Sequence, residues 1–291
     1  MPARVEWRGV LTIDHVAFSG LDLDDLRAVA ETVGLPTAYG GPHGTGTTHM
    51  AVVGLPDGSY LELVAPTEGT DPADAGFWPA HLAADAGPAG WCLDVPDAAA
   101  AAKAAIDRGV RVDGPHEGSR VRPNGTRVEW DMCFEGPDGD ERLPFLVSDR
   151  TPRSYRTTPD PDLLDSPLVG TAAVVLAVDD ADASADLLTR RHRLPTPVDA
   201  AGPFDRLRVC PGAPVALAEA GTGADGPLRK RLETVGEGPC AYLLGVDDFE
   251  AARERFSLGD PFAFGRGDGA RAAWFDHERF AGRLGVVERS D

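Results

Sequence analysis

Four times along the chain an apolar run ends at aspartate and is followed by an alanine-rich stretch of helical period. The runs are TIDHVAFSGLDLDDL from Thr12, GWCLDVPDAAAAAKAAI from Gly90, AAVVLAVDDADASADLL from Ala172 and CAYLLGVDDFEAARERF from Cys240. Each predicts a strand, an aspartate that caps the free N–H groups of a helix, and the helix itself. Alternating β-type pairs come next: THMAVVGL and SYLELVAP around a Pro-Asp-Gly turn, then TRVEWDMCFEG and ERLPFLVSD around Gly136-Pro137-Asp138-Gly139. The third repeat continues with FDRLRVC and PVALAEAG around Pro-Gly-Ala, and the fourth with RAAWFDHERF and GRLGVVERS. The theme is a βαβββ unit used four times.

The stretch RTPRSYRTTPDPDLLDSP is rich in Pro, Asp and Thr and poor in periodicity, which predicts a linker. The expected fold is α+β. Tandem βαβββ units form two pseudo-symmetric incomplete β-barrels, one in residues 1–152 and a degenerate one in residues 167–291, joined by a linker at 153–166. Curling each pair of units into a bowl removes strand edges and leaves a ligand-sized hollow.

Composition narrows the partners. Net charge is −19, Lys occurs only at Lys103 and Lys230, and Asp greatly exceeds Glu. Such a surface is typical of proteins from high-salt, halophilic cytoplasm, where the Debye length falls to about 3 Å at 1 M salt. It argues against nucleic acid, whose phosphates it would repel. The four widely spaced cysteines form no CxxC pair, so buried thiols are expected rather than a zinc site or disulfide scaffold. No apolar run approaches the roughly 20 residues of a membrane span, and MPARVEWRG lacks the apolar core of a signal peptide. A cytoplasmic protein without membrane partners is expected, its oligomeric state open.

Candidate chemistry concentrates in the first unit. His15 in the first strand and Glu62 in the last can share one concave face, because side chains alternate along strands. A buried His hydrogen-bonded to a carboxylate is the plain alternative, and even without metal such a pair is a usable general base. Between them GGPHGTGTTH carries His43 and His49. It is either a polar turn or a pocket loop, and it lacks the Gly-Lys-Ser/Thr ending of a phosphate-binding P-loop. Arg120, Arg122 and Arg127 flank an Asn-Gly turn, as solvated charges or as a carboxylate clamp. Trp130 and Phe145 are core or pocket wall, and Phe77 and Trp78 staple a loop or cover the hollow.

The segments IDHVAF with Asp22 seven residues after His15, GGPHGTGTTH, YLELVAP, RVRPNGTRVEWDM and LPFLVSD together resemble the glyoxalase-like branch of the vicinal oxygen chelate superfamily, which includes glyoxalases, extradiol dioxygenases and antibiotic-resistance proteins. The resemblance implies a divalent ion held by first- and last-strand side chains of both units, with open positions for adjacent substrate oxygens. His15 and Glu62 fit the ligand places of the first unit. In the second unit those places fall at Gly90 and near Pro144, which have no ligating side chain. The third ligand would then be His49 or His43, with Glu129 and Asp131 as further oxygen donors. In the second half the corresponding places are Ala173 and Ala241, and Leu217 and Gly285, so that half reads as structural or substrate-covering.

These readings lead to a metal-dependent lyase, isomerase or dioxygenase acting on a small carbonyl or vicinal-diol compound in the first hollow. The metal would be zinc, iron, manganese or nickel, held by His15, Glu62 and His49. Glu129 and His49 are the candidate catalytic groups, and His43, Arg120, Arg122, Trp130 and Phe145 the substrate contacts. The alternative is a metal-free protein that sequesters a small molecule against Trp130 and Phe145. A third reading, a purely structural protein, would have its hollows filled by side chains.

Overall fold

Aspartate caps each of the four repeat helices. Asp22, Asp97, Asp180 and Asp248 accept backbone N–H bonds at the starts of helices Leu23–Thr32, Ala98–Ile106, Ala181–His192 and Phe249–Arg255. The computed structural model describes residues 11–136, 140–221 and 226–289. The N-terminal MPARVEWRG segment and the 137–139 part of the expected Gly-Pro-Asp-Gly turn lie outside them.

The first half contains β1 (Ile13–Ser19), β2 (Ala38–Pro42), β3 (Thr48–Gly54), β4 (Tyr60–Pro66), β5 (Gly87–Asp94), β6 (Val112–Val121), β7 (Arg127–Glu135) and β8 (Phe145–Asp149). They form one eight-stranded sheet in the order β2-β3-β4-β1-β5-β8-β7-β6. First and last strands of each unit pair in parallel, β1 with β4 and β5 with β8, and β1 joins β5 antiparallel. A bridge between His43 and Arg120 ties the two ends of the sheet together and curls it into a bowl.

The second half repeats this with β9 (Leu168–Val178), β10 (Val198–Asp199), β11 (Arg206–Val209), β12 (Val215–Glu219), β13 (Gly238–Val246), β14 (Phe262–Phe264), β15 (Ala270–Trp274) and β16 (Leu284–Glu288), ordered β10-β11-β12-β9-β13-β16-β15-β14. Two eight-stranded half-barrels with helices make an α+β fold of two pseudo-symmetric bowls.

One apolar cluster holds the outer faces of both sheets and the helices together. Val16, Phe18, Leu61, Leu63 and Trp91 of the first half pack in it with Val174, Leu176, Tyr242 and Leu244 of the second. The bowls therefore stand back to back, with concave faces turned away from one another. Tyr242 reaches across, its hydroxyl 2.8 Å from the carbonyl of Gly90 and 3.0 Å from that of Ala17.

The two concave faces differ in kind. Ala173, Ala177, Leu207, Ala216, Ala241, Leu243 and Phe264 give the second an apolar lining, whereas the first carries buried His15 and Glu62. The segment between the halves is more ordered than its composition predicts. It forms two short helices, Arg153–Arg156 and Pro161–Leu164, and buries Arg156, Thr157 and Leu163.

Candidate active site

The site begins with an irregularity in β1. Pairing between β1 and β5 slips between Ile13 and His15, so Ile13 and Val16 both join the outer core while Asp14 and His15 are left together. A bulge re-aims side chains in this way next to functional sites. Asp14 Oδ1 accepts from His15 Nδ1 at 2.6 Å, which directs Nε2 into the bowl.

Three donor side chains meet there from separate parts of the first unit. His15 Nε2 of β1 lies 3.4 Å from Glu62 Oε2 of β4. His43 Nε2, just beyond β2, lies 3.1 Å from Glu62 Oε1. His43 Nδ1 is held 2.8 Å from Thr48 Oγ1. Burial alone would raise the Glu62 pKa, but hydrogen bonds from His15 and His43 outweigh it and hold the carboxyl well below its usual range. Burial likewise pulls His15 toward its neutral form, and the bonds to Asp14 and Glu62 reverse this and raise its pKa above 6.5.

Behind His15 stands a buried charge network that sequence reasoning missed. Asp14 is 0% exposed. It takes two bonds from Arg156, at 2.6 and 2.7 Å, and one from Arg153. Arg156 also donates to Asp149 at 2.7 and 3.0 Å and to the Tyr60 hydroxyl at 3.0 Å. Desolvation favours the neutral acid at Asp14, but Arg156 and His15 hold its pKa well below the usual carboxylate value. Tyr60 stacks on His15 with centroids 4.5 Å apart. The readable signals were an Asp-His pair inside an apolar strand, which needs a buried counter-charge, and two arginines three residues apart in an otherwise acidic linker.

The strand register corrects the second-unit counting. Taking Gly90 as the equivalent of His15 makes Cys92 the equivalent of Ala17. Ala17 pairs with Glu62, and Cys92 pairs with Phe145. Phe145, not Pro144, therefore stands in the place of Glu62, and its ring meets His15 edge-on at 5.2 Å. In the third unit the same reasoning moves the place from Leu217 to Ala216, since Val175 pairs with Ala216; Gly285 in the fourth unit stands. At Gly90 a Cβ would fall 2.6 Å from the Trp78 ring. The indole occupies the space of the missing ligand. Trp78 adopts a left-handed backbone, φ 46°, to place it there. One wall of the bowl thus carries donors, and the other is aromatic.

Trp130, Phe145, Arg120 and His43, expected as substrate contacts, line the same hollow, together with Met50 and Phe77. The cavity is about 50 Å³ and partly open to solvent, room for an ion and several waters, with Phe77 and Trp78 among its walls.

Other expected residues lie elsewhere. His49 alternates with Thr48 and Met50 on β3. It faces the helix side, where its ring meets Tyr39 at 6.0 Å and the aspartates Asp22 and Asp24 act on it; partial burial lowers its pKa. Glu129 and Asp131 alternate with Trp130 and Met132 and so point away from the hollow, Glu129 to Arg127 at 2.8 Å and Asp131 toward Arg150. Arg122 lines a neighbouring cavity. All four cysteines are free and buried.

Two groups of residues offer metal-ligand atoms. Asp14, His15 and Cys92 bring theirs within 4.8 Å of one another. A cation there would sit against the Arg153 and Arg156 guanidiniums already bound to Asp14, and burial raises the Cys92 thiol well above its ordinary value. In the hollow, the imidazoles of His15 and His43 each face one oxygen of the Glu62 carboxylate, at 3.4 and 3.1 Å. This donor set suits zinc or iron, with Asp14 orienting one imidazole from behind.

Paired βαβββ units curled into bowls, with donors on first and last strands, place the chain in the vicinal oxygen chelate superfamily. Residues 13–191 match the glyoxalase-like domain family, and the chain belongs to that family. Similar solved structures include a hypothetical protein from Staphylococcus aureus, at 13% identity, covering 96% of this chain and 100% of that one with a TM-score of 0.65. A variant of 4-hydroxymandelate synthase from Streptomyces coelicolor is 13% identical over 96% of this chain and 92% of its own, TM-score 0.56. An Mn(II)-bound glyoxalase from Novosphingobium aromaticivorans is 15% identical over 96% and 82%, TM-score 0.56. No curated protein matches the chain in sequence. Among the described residues no helix is long and apolar enough to cross a membrane.

Proposed function

We propose that the protein is a metal-dependent enzyme that acts on a small carbonyl or vicinal-diol compound in the first bowl, with His15, His43 and Glu62 as the metal ligands. The observation that carries this reading is the grip of two imidazoles on opposite oxygens of one buried carboxylate. Such a set leaves positions open to substrate oxygens, and the ion would polarise a carbonyl or acidify the adjacent C–H, as in lyase, isomerase or dioxygenase chemistry. Asp14 fixes the His15 tautomer, with its proton on Nδ1 and Nε2 turned to the bowl. The Thr48 hydroxyl, 2.8 Å from His43 Nδ1, orients the second ring so that its Nε2 faces Glu62. Trp78, Trp130 and Phe145 supply an apolar wall that excludes water and stacks a flat substrate. Glu62 is the only carboxylate among the described residues lining the cavity, so Glu129 has no part in the chemistry.

Elemental analysis of protein purified without an affinity tag tests this. Near-stoichiometric metal is expected in wild type, lost in His15→Ala, His43→Ala and Glu62→Gln, and retained in His49→Ala and Glu129→Gln. Absence of metal after manganese, iron, nickel and zinc have each been offered would sink the metalloenzyme reading and leave a metal-free binding protein.

A further inference from the structure

On the other side of Arg120 from the hollow lies a second cavity, of about 200 Å³, between β2, β6 and the segment joining the halves. Its charge is unusual for a protein of net charge −19: Arg120, Arg122 and Arg156 all line it. Arg156 is neutralised by Asp14 and Asp149. Arg120 is not. It is 4% exposed, and its guanidinium donates only to the main-chain carbonyls of Gly40 and Arg156. Arg122 makes a single bond, at 3.3 Å, to the carbonyl of Tyr155. Among the described residues no carboxylate lies within ion-pair distance of either. A buried charge without a counter-charge is costly, and elsewhere in the fold buried Arg191 has its acid, Glu135. Thr157, on the same cavity, keeps a buried hydroxyl with no hydrogen-bond partner. The one acid there, Asp160, is engaged in capping the helix Pro161–Leu164, its Oδ1 2.9 Å from the N–H of Asp162.

We propose that this cavity is an oxyanion site, in which Arg120 and Arg122 bind the carboxylate or phosphate group of a small organic acid. Guanidinium forks match both groups in charge and geometry. The bound anion supplies the counter-charge that Arg120 lacks. Because Arg120 also lines the hollow, the anion sits one side chain away from the His15–Glu62 pair. The site stands without the metal.

Isothermal titration calorimetry at fixed ionic strength, made up with sodium chloride, tests it with inorganic phosphate and with benzoate as probes. Saturable binding of at least one probe is expected, weakened tenfold or more in Arg122→Gln. It should be unchanged in Arg127→Gln, whose guanidinium pairs with Glu129 on the outer face, and in His15→Ala, so that failure of the metal reading and failure of this one are distinguishable. Tighter phosphate binding would assign the natural group as a phosphate, and tighter benzoate binding as a carboxylate. No saturation by either probe, or equal binding by wild type and Arg122→Gln, would overturn the proposal.

Discussion

Replacing Asp14 by Asn tests both the stability of the first bowl and the orientation of its histidine. The carboxylate is fully buried and accepts from His15, twice from Arg156 and once from Arg153. Asparagine keeps the shape but offers one oxygen, so two or more of the four donors lose their acceptor, and Arg156 retains only Asp149 and Tyr60. Breaking one partner of a buried ion pair costs about 3–5 kcal/mol. At about 2–4 °C per kcal/mol for a chain of this order of size, even the lower figure lowers Tm by roughly 6–12 °C. The sign with pH follows from the depressed Asp14 pKa. Its contribution is fully present above the ordinary carboxylate value of 3.8 and is lost as pH falls through the still lower folded value. The gap between wild type and variant therefore persists at pH 7 and pH 5 and narrows only below about pH 4. His15 carries the second readout, because Asp14 is a leading reason its pKa is raised. In the variant its imidazole signals in an NMR titration should move at lower pH. A Tm within 2 °C of wild type together with an unchanged His15 titration would refute this account of the site.

Metal binding should expel protons, since His15 is protonated more readily than a free imidazole. Below its pKa the affinity for zinc falls about tenfold per pH unit, and calorimetry in two buffers of different ionisation enthalpy counts the protons released. Tyr242→Phe removes the donor shared by the carbonyls of Ala17 and Gly90; a loss of about 1–3 kcal/mol in urea unfolding is expected, and no loss would mean that the halves do not depend on this contact. Glu141, against buried His81 at 3.3 Å, is pushed by burial up to about 7, while burial takes His81 down to about 3. A raised acid contributes stability below its unfolded value of 4.5 and loses it as pH rises through 7. Glu141→Gln should therefore match wild type near pH 4.5 and exceed it at pH 8 by an amount on the order of 3 kcal/mol, compared by parallel denaturation curves.

The repeat was legible because each unit writes the same local grammar, an apolar strand ending in a capping aspartate, and local rules set those elements. His15 and Glu62 were legible as partners because they sit at fixed places in that grammar. Errors arose where a count had to be carried along a strand. Placing the Glu62 equivalent at Pro144 or Leu217 rather than Phe145 or Ala216 is a slip of one, and in a strand that moves a side chain to the opposite face. Alternation also puts His49 on the face of β3 opposite Met50 and the hollow, and Glu129 and Trp130, neighbours on one strand, cannot both line it. The bulge at Asp14 was hidden because it breaks the alternation on which such reading depends. Trp78 was invisible for another reason: its role is to lie on a glycine in a strand that follows it in sequence, a contact that only the fold creates.

The arginines on Asp14 come from the stretch that joins the two bowls. What looks like a hinge between modules is therefore a keystone of one of them. The first bowl cannot be cut out of the gene at residue 152 and remain itself, because the chain that leaves it returns two charges to the strand bearing its histidine. If the halves arose by duplication, they ceased to be exchangeable parts when the tether became part of the scaffold of the site.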